Sequence, residues 1–245
     1  MITGYFKGVT TYFDGLKIIS RYGLWSYLLA PALIGLLLGG GILSFAWRIS
    51  GSIGDWMIGF YPLEWGKGTL ESIANVFGGI LVIAVGLIIF KQLVLALSSP
   101  FMSFMSETIE RRMKADYTPV PFSAQKAIQD LLRGLTIALR NIIRELFYTF
   151  LLFLLGLIPI FTPFTTIAIF LVQSFYAGFG SMDYTLERRY NVRQSVTFVR
   201  NNRSFALGNG TIFMALLLTG VGFLLALPLG TAAATGETLK RLNEL

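Results

Sequence analysis

The chain has 245 residues, 54% hydrophobic and only 13% charged, with a mean hydropathy of +0.67; soluble domains carry about 25% charged residues, so the composition excludes one and predicts a single all-α integral membrane domain, 1–245. Cys and His are absent, which removes disulfides, thiolate chemistry, Cys/His zinc sites and histidine acid–base catalysis together. The excess of 20 Lys and Arg over 13 Asp and Glu reads first as membrane orientation and headgroup contact, with no nucleic-acid partner expected.

Residues 1–20 space Ile2, Tyr5, Phe6, Val9, Tyr12, Phe13, Leu16 and Ile19 three and four apart, with Lys7, Asp14 and Lys17 between them. That pattern predicts an amphipathic helix lying flat at the bilayer interface, and its charges argue against a cleaved leader. Arg21, Tyr22 and Gly23 turn the chain into 24–47, uncharged as far as Arg48 and long enough to span, with a kink expected at Pro31. Residues 48–71 are poor in positive charge and are expected outside. The second crossing, 72–98, contains Lys91; its helix is expected to bend at Pro100 and to run on to about residue 115. Arg111, Arg112, Lys114, Lys126, Arg133, Arg140 and Arg144 place the helical segment 99–145 on the cytoplasmic side. Pro119 and Pro121 end one helix there, and Ser123 caps the next. The second of these helices sets Ile128, Leu131, Leu132, Leu135, Leu139, Ile142 and Ile143 on one face, with Arg133, Arg140 and Arg144 as a solvated or lipid-facing basic stripe.

No charge occurs between Glu145 and Asp183. As one helix, 146–182 would reach about 55 Å, whereas the hydrocarbon layer is about 30 Å thick. Pro159 and Pro163 disfavour helix at Ile158 and Thr162, so the run predicts a hairpin with short arms, 146–158 and 164–180, that hardly cross. Residues 204–236 repeat the device, with Gly220 and Gly222 near the middle and Pro228 towards the end. Between the two runs lie Arg188, Arg189, Arg193, Arg200 and Arg203, so both hairpins start and finish on the basic side.

Four features are candidate sites. The turn Arg21, Gly23, Leu24, Trp25, Ser26 offers free helix N–H groups to an anion, or else Arg21 anchors to headgroups and Trp25 sits at their level. Ser99, Ser103 and Ser106 share one helix face, where hydroxyls line an anion path or small residues let helices pack closely. Glu107 and Arg111, like Glu110 and Lys114, stand four apart in the order that supports a helix. Lys91, alone between Glu71 and Glu107, is an intramembrane functional group or, the reading favoured, a lysine that snorkels to the headgroups. No GxxxxGK[ST] loop and no nucleophile–base pair stands out, so neither nucleotide hydrolysis nor an enzyme is expected.

Several stretches occur in a familiar order: GLKIISRYGLWSYLLAPALIG, SSPFMSFMSETIERR, the IP of LIPIF, GFGSMDYTLERR, VRNNR and LPLGTAAAT. On these the chain resembles the CysZ sulfate permease family, within the etoposide-induced-protein superfamily, over nearly its whole length. The resemblance implies a bacterial inner-membrane homo-oligomer with two full transmembrane helices, two partly penetrating helical hairpins and both termini cytoplasmic. It implies a sulfate permease or channel, passive or ion-coupled, that needs no cofactor and supplies sulfate for cysteine synthesis. It also implies an anion site where the family carries Gly, an apolar residue and an Arg pair; this sequence has Gly23, Leu24, Trp25 and Ser26 there. Acids matching Glu107 and Glu110 and an arginine matching Arg112 imply a charged gate if subunits bring them together. The alternative is a non-conducting membrane interaction or scaffold protein of the same superfamily.

Overall fold

The computed structural model describes residues 2–42, 44, 85–114, 123–158, 160–220 and 222–245. The expected outer segment, the first half of the second crossing, Pro119, Pro121 and Pro159 lie outside the described residues. Within them every regular element is a helix: α1 (Ile2–Tyr22), α2 (Leu24–Ile42, opening with a 3-10 turn over Leu24–Leu28), α3 (Val85–Leu97), α4 (Ser99–Met113), α5 (Ala124–Gly156), α6 (Thr162–Leu186), α7 (Val192–Asn201), α8 (Arg203–Leu218) and α9 (Phe223–Arg241). α6, α8 and α9 form the centre, α1 lies across α8 and α9, and α4 and α5 cover the opposite side.

The helices are built inside out relative to a soluble protein. α1 buries Gly8, Thr11, Tyr12, Gly15 and Ile19 and leaves Ile2, Phe6, Phe13 and Leu16 exposed. α5 buries Asp130, Asn141, Glu145 and Thr149 while Ile128, Leu132, Leu139 and Ile143 face outward. α2 exposes Leu29, Leu33, Leu36 and Leu37. Large apolar residues outside with small and polar ones inside suit a lipid solvent, in which burial of apolar surface drives nothing and close packing does. The apolar stripe predicted for α1 is therefore divided. Its glycines, with Tyr5 and Tyr12, meet the second hairpin: a Cβ at Gly8 would stand 2.5 Å from the Phe205 carbonyl oxygen and one at Gly15 2.7 Å from that of Leu229, while the Tyr12 hydroxyl donates to the Ala226 carbonyl at 3.1 Å.

The chain is a membrane protein. Leu24–Ile42 and Thr162–Leu186 are each long and apolar enough to cross a bilayer, and α3 and α4 form a pair bent by 59° that is a broken span or a re-entrant loop. The bend expected at Pro100 is present but falls two residues earlier and breaks the helix: the break is at Ser98, and Pro100 sits in the first turn of α4, where its missing N–H is tolerated. The first hairpin turns between Gly156 and Thr162, with Pro163 likewise in the first turn of α6. The second turns between Leu218 and Phe223, where Gly220 adopts a φ of 77°. Both turns lie where proline and glycine placed them. The arms are longer than expected, since α5 runs unbroken for 33 residues and α6 for 25. Charge marks a change of environment without stopping a helix. Pro228 lies inside α9 and does not end it.

α6 and α8 touch backbone to backbone: a Cβ at Gly178 would stand 1.8 Å from the Ala206 oxygen, and one at Gly210 1.6 Å from the Ser174 oxygen. Gly210→Ala is therefore expected to push the two hairpins apart and to cost roughly 1–3 kcal/mol or more, seen as a lower melting temperature of the detergent-solubilised protein. Gly40→Ala, with open space around it, should leave melting unchanged or raise it slightly.

Candidate functional site

α3 places two polar residues, Lys91 and Gln92, beside Phe90. The Phe90 ring meets Phe223 of α9 edge to face at 6.0 Å, and a Cβ on Gly35 of α2 would stand 2.7 Å from the Phe223 ring. Gly35 lies about 16 Å along α2 from Leu24. Lys91 is fully buried. It donates to Glu145 Oε1 at 2.5 Å and to the Gln173 carbonyl at 2.9 Å, and Gln92 Nε2 donates to Glu145 Oε2 at 2.6 Å. Lys91 does not snorkel. Glu145, which looked like the edge of an apolar run, is itself fully buried and supplies the countercharge within the protein.

A second, larger network joins α4 to the end of α6. Glu110 and Lys114 pair along α4 at 3.1 Å, as their spacing requires. Arg188 and Arg189 follow α6 directly, where cations suit the helix dipole. Arg188 Nη2 donates to Ser106 Oγ at 3.1 Å and to Glu110 Oε2 at 3.0 Å, and its Nη1 donates to the Tyr184 carbonyl at 2.8 Å. Arg189 donates to the other Glu110 oxygen and, through Nε at 2.6 Å and Nη2 at 2.7 Å, to both oxygens of Glu244. Lys114 also pairs with Glu244. Beside Arg188, the hydroxyls of Ser106, Thr185 and Thr235 form a buried triad with separations of 3.0, 3.1 and 3.3 Å.

A third cluster ties α5, α6 and α7 together. Arg133 Nη2 donates to Asp183 Oδ1 at 2.9 Å and to Ser195 Oγ at 2.8 Å. Nearby, Glu187 Oε1, Asp130 Oδ2 and Ser103 Oγ are buried without hydrogen-bond partners among the described residues. Burial of the Glu187 carboxyl, reinforced by the charges of Asp183 and Asp130, pushes it well above the ordinary carboxylate range.

The structure thus brings Ser106 and Glu110 together with Arg188 and Arg189, and Ser103 lies in the same buried polar interior. Ser99 instead donates to the Asp130 carbonyl at 2.9 Å and packs on Gly134. Glu107 meets Lys126 at 3.4 Å, while Arg111 and Arg112 are exposed. At the turn, Gly23 has a φ of 67° and Leu24 is buried. Arg21, Trp25 and Ser26 are exposed, Arg21 lying over the Tyr22 ring at 5.9 Å. Tyr27 then links this turn to α4 through Thr108 at 3.3 Å. Arg188, Arg189, Glu145, Thr185, Thr235 and Glu244 were not singled out as site residues from sequence. The one available signal was the LERR motif directly after an apolar run.

The chain belongs to the family described as sulfate transporter CysZ/etoposide-induced protein 2.4, whose model matches residues 11–228. No individual curated protein matches it significantly. The matched region holds Glu110, Arg188 and Arg189 and stops short of Glu244.

Two outcomes are expected. Lys91→Met or Glu145→Gln alone should destabilise the protein by roughly 3–5 kcal/mol by leaving one buried charge or polar group without its partner, whereas Lys91→Met combined with Glu145→Leu should recover most of the loss; melting in detergent measures both. The hydrogen bonds from Arg189 and Lys114 hold Glu244 at about 2, below its usual 4.5. Its contribution is therefore present above about pH 4.5 and is lost as pH falls towards 2. Over that window the melting temperature of the wild type should fall more steeply than that of Glu244→Gln.

Proposed function

We propose that this family member conducts a small oxyanion, sulfate by family, across a bacterial inner membrane, without nucleotide hydrolysis. The observation that carries the reading is the arrangement at Glu110. A guanidinium and a triad of hydroxyls converge beside a carboxylate that is held on both oxygens by arginine. Planar guanidinium donors and hydroxyls are the groups that replace the hydration of a tetrahedral oxyanion. Glu110 occupies them in its place.

In this reading Glu110 is the gate. An incoming dianion accepts hydrogen bonds from Arg188, Ser106, Thr185 and Thr235, while Glu110 swings to Arg189 and Lys114, which already hold it. Ser99, Ser103 and Glu107 lie along the same helix. Arg111 and Arg112 project outward from it, placed to complete the gate with a second copy in a homo-oligomer. The turn Arg21, Gly23, Leu24, Trp25, Ser26 is the first docking point for the anion, and Lys91 with Glu145 holds the helices that frame the path. Partial penetration of the second hairpin is supported by the position of Phe223, and the cytoplasmic placement of both termini rests on the family resemblance. Phe223 follows the turn of the second hairpin directly and sits beside Gly35, about halfway along the crossing of α2. Supply of sulfate for cysteine synthesis is the role that the resemblance to the CysZ family implies.

The second reading, a non-conducting interaction protein, is favoured by Trp25 and Ser26 standing where the family resemblance implies an arginine pair. Flux separates the two. Vesicles containing the purified protein should take up labelled sulfate faster than protein-free vesicles, Arg188→Lys should weaken the half-saturating concentration ~10-fold or more, and Glu110→Gln should alter the rate without abolishing folding. Uptake equal to that of empty vesicles would sink the transport reading.

A further inference from the structure

A large cavity lies away from the Glu110 network. It has a volume of about 880 Å³ and opens between the start of α1, the middle of α5, α6, α7 and the start of α8. Its walls are mostly apolar: Phe6, Leu171, Val172, Phe175 and Leu207 are among them. Four arginines line the same space, Arg140, Arg144, Arg200 and Arg203, and no carboxylate does. A neighbouring polar pocket of about 430 Å³ shares Arg200 and Arg203 and adds Thr197 and Asn201.

Arg144 and Arg200 make no ion pair among the described residues. Arg140 reaches only the Asn141 side chain, at 2.8 Å, and the Phe179 ring, at 5.7 Å. Burial, with Arg144 and Arg200 as like-charged neighbours, lowers the pKa of Arg140. Arg133, Arg188, Arg189 and Arg241 are each matched to an acid. Arg140, Arg144 and Arg200, converging on one cavity whose described lining holds no acid, ask for an anion from outside the chain.

The size and lining of the cavity decide which anion. An inorganic oxyanion is only a few times the roughly 30 Å³ share of one water and would leave most of the space, and all of its apolar wall, unused. We propose that the cavity holds an anionic phospholipid, its phosphodiester head among Arg140, Arg144, Arg200 and Arg203 and an acyl chain along Leu171, Val172 and Phe175. The start of α8, with Arg203 and Ser204 on the cavity, adds the favourable end of a helix dipole to the head. The site stands whether or not the chain conducts an ion.

Delipidated protein in neutral detergent is titrated with phosphatidylglycerol, phosphatidylcholine, inorganic phosphate and sulfate, and its melting temperature is followed. Phosphatidylglycerol should raise it well above phosphatidylcholine, with Arg144→Gln/Arg200→Gln binding ~30-fold more weakly. Equal shifts from the two lipids, or the same shift from phosphate or sulfate alone, overturn the proposal. Should that variant fail to fold, wild-type protein decides: phosphatidylglycerol with a photoreactive acyl chain should crosslink at 171–175 and be competed by unlabelled phosphatidylglycerol but not by phosphatidylcholine. Crosslinks spread evenly over the outer faces of α2 and α5 count against it.

Discussion

A lysine that cannot reach water sets the terms for the helix packing around it. A buried ion costs several kcal/mol unless it is paired and hydrogen-bonded, and the Lys91 side chain is fully enclosed. Glu145 on α5, the Gln173 carbonyl on α6 and the neighbouring Gln92 on α3 meet that requirement together. Satisfying it fixes the register of three helices at once, because a shift of one residue along any of them would strand a charge. The pair is weak as a source of net stability and strong as a specification of which arrangement is allowed.

The remaining cohesion comes from proximity. Gly178 and Gly210 let α6 and α8 approach until their backbones touch, and Gly8 and Gly15 seat α1 on the second hairpin. These contacts replace the hydrophobic driving force that lipid does not provide. They leave the large side chains of α1, α2 and α5 pointing outward and gather hydroxyls, carboxylates and guanidiniums inside. The buried polar networks are thus a by-product of how the chain holds together in lipid.

Much of this was legible in the sequence. The uncharged runs, Pro163 and Gly220 located both hairpin turns, because the backbone limits of proline and glycine are local facts. The crossing at Leu24–Ile42 and the start of α5 after Ser123 were legible for the same reason. The fate of Lys91 was not, since its partner lies 54 positions away and no local rule links them. The outward apolar face of α1 was legible from its three-and-four spacing, whereas the inward packing of Tyr12 and Ile19 was not, because it depends on where the second hairpin docks. At the candidate site Ser106 and Glu110 could be picked from their helical spacing. Arg188, Arg189 and Glu244 looked like ordinary positive-inside and terminal charges until folding brought them to Glu110.

The clasp at Glu244 also imposes an order in time. Glu110, Arg188 and Arg189 precede it in the chain, Arg189 by 55 positions, which at 5–20 residues per second is roughly 3–11 s of synthesis. During that interval Glu110 is the carboxylate available to both arginines, and the cluster lacks the second acid that Arg189 and Lys114 share. Biogenesis therefore passes through a nascent chain in which the arginines at Glu110 are less restrained than in the finished protein.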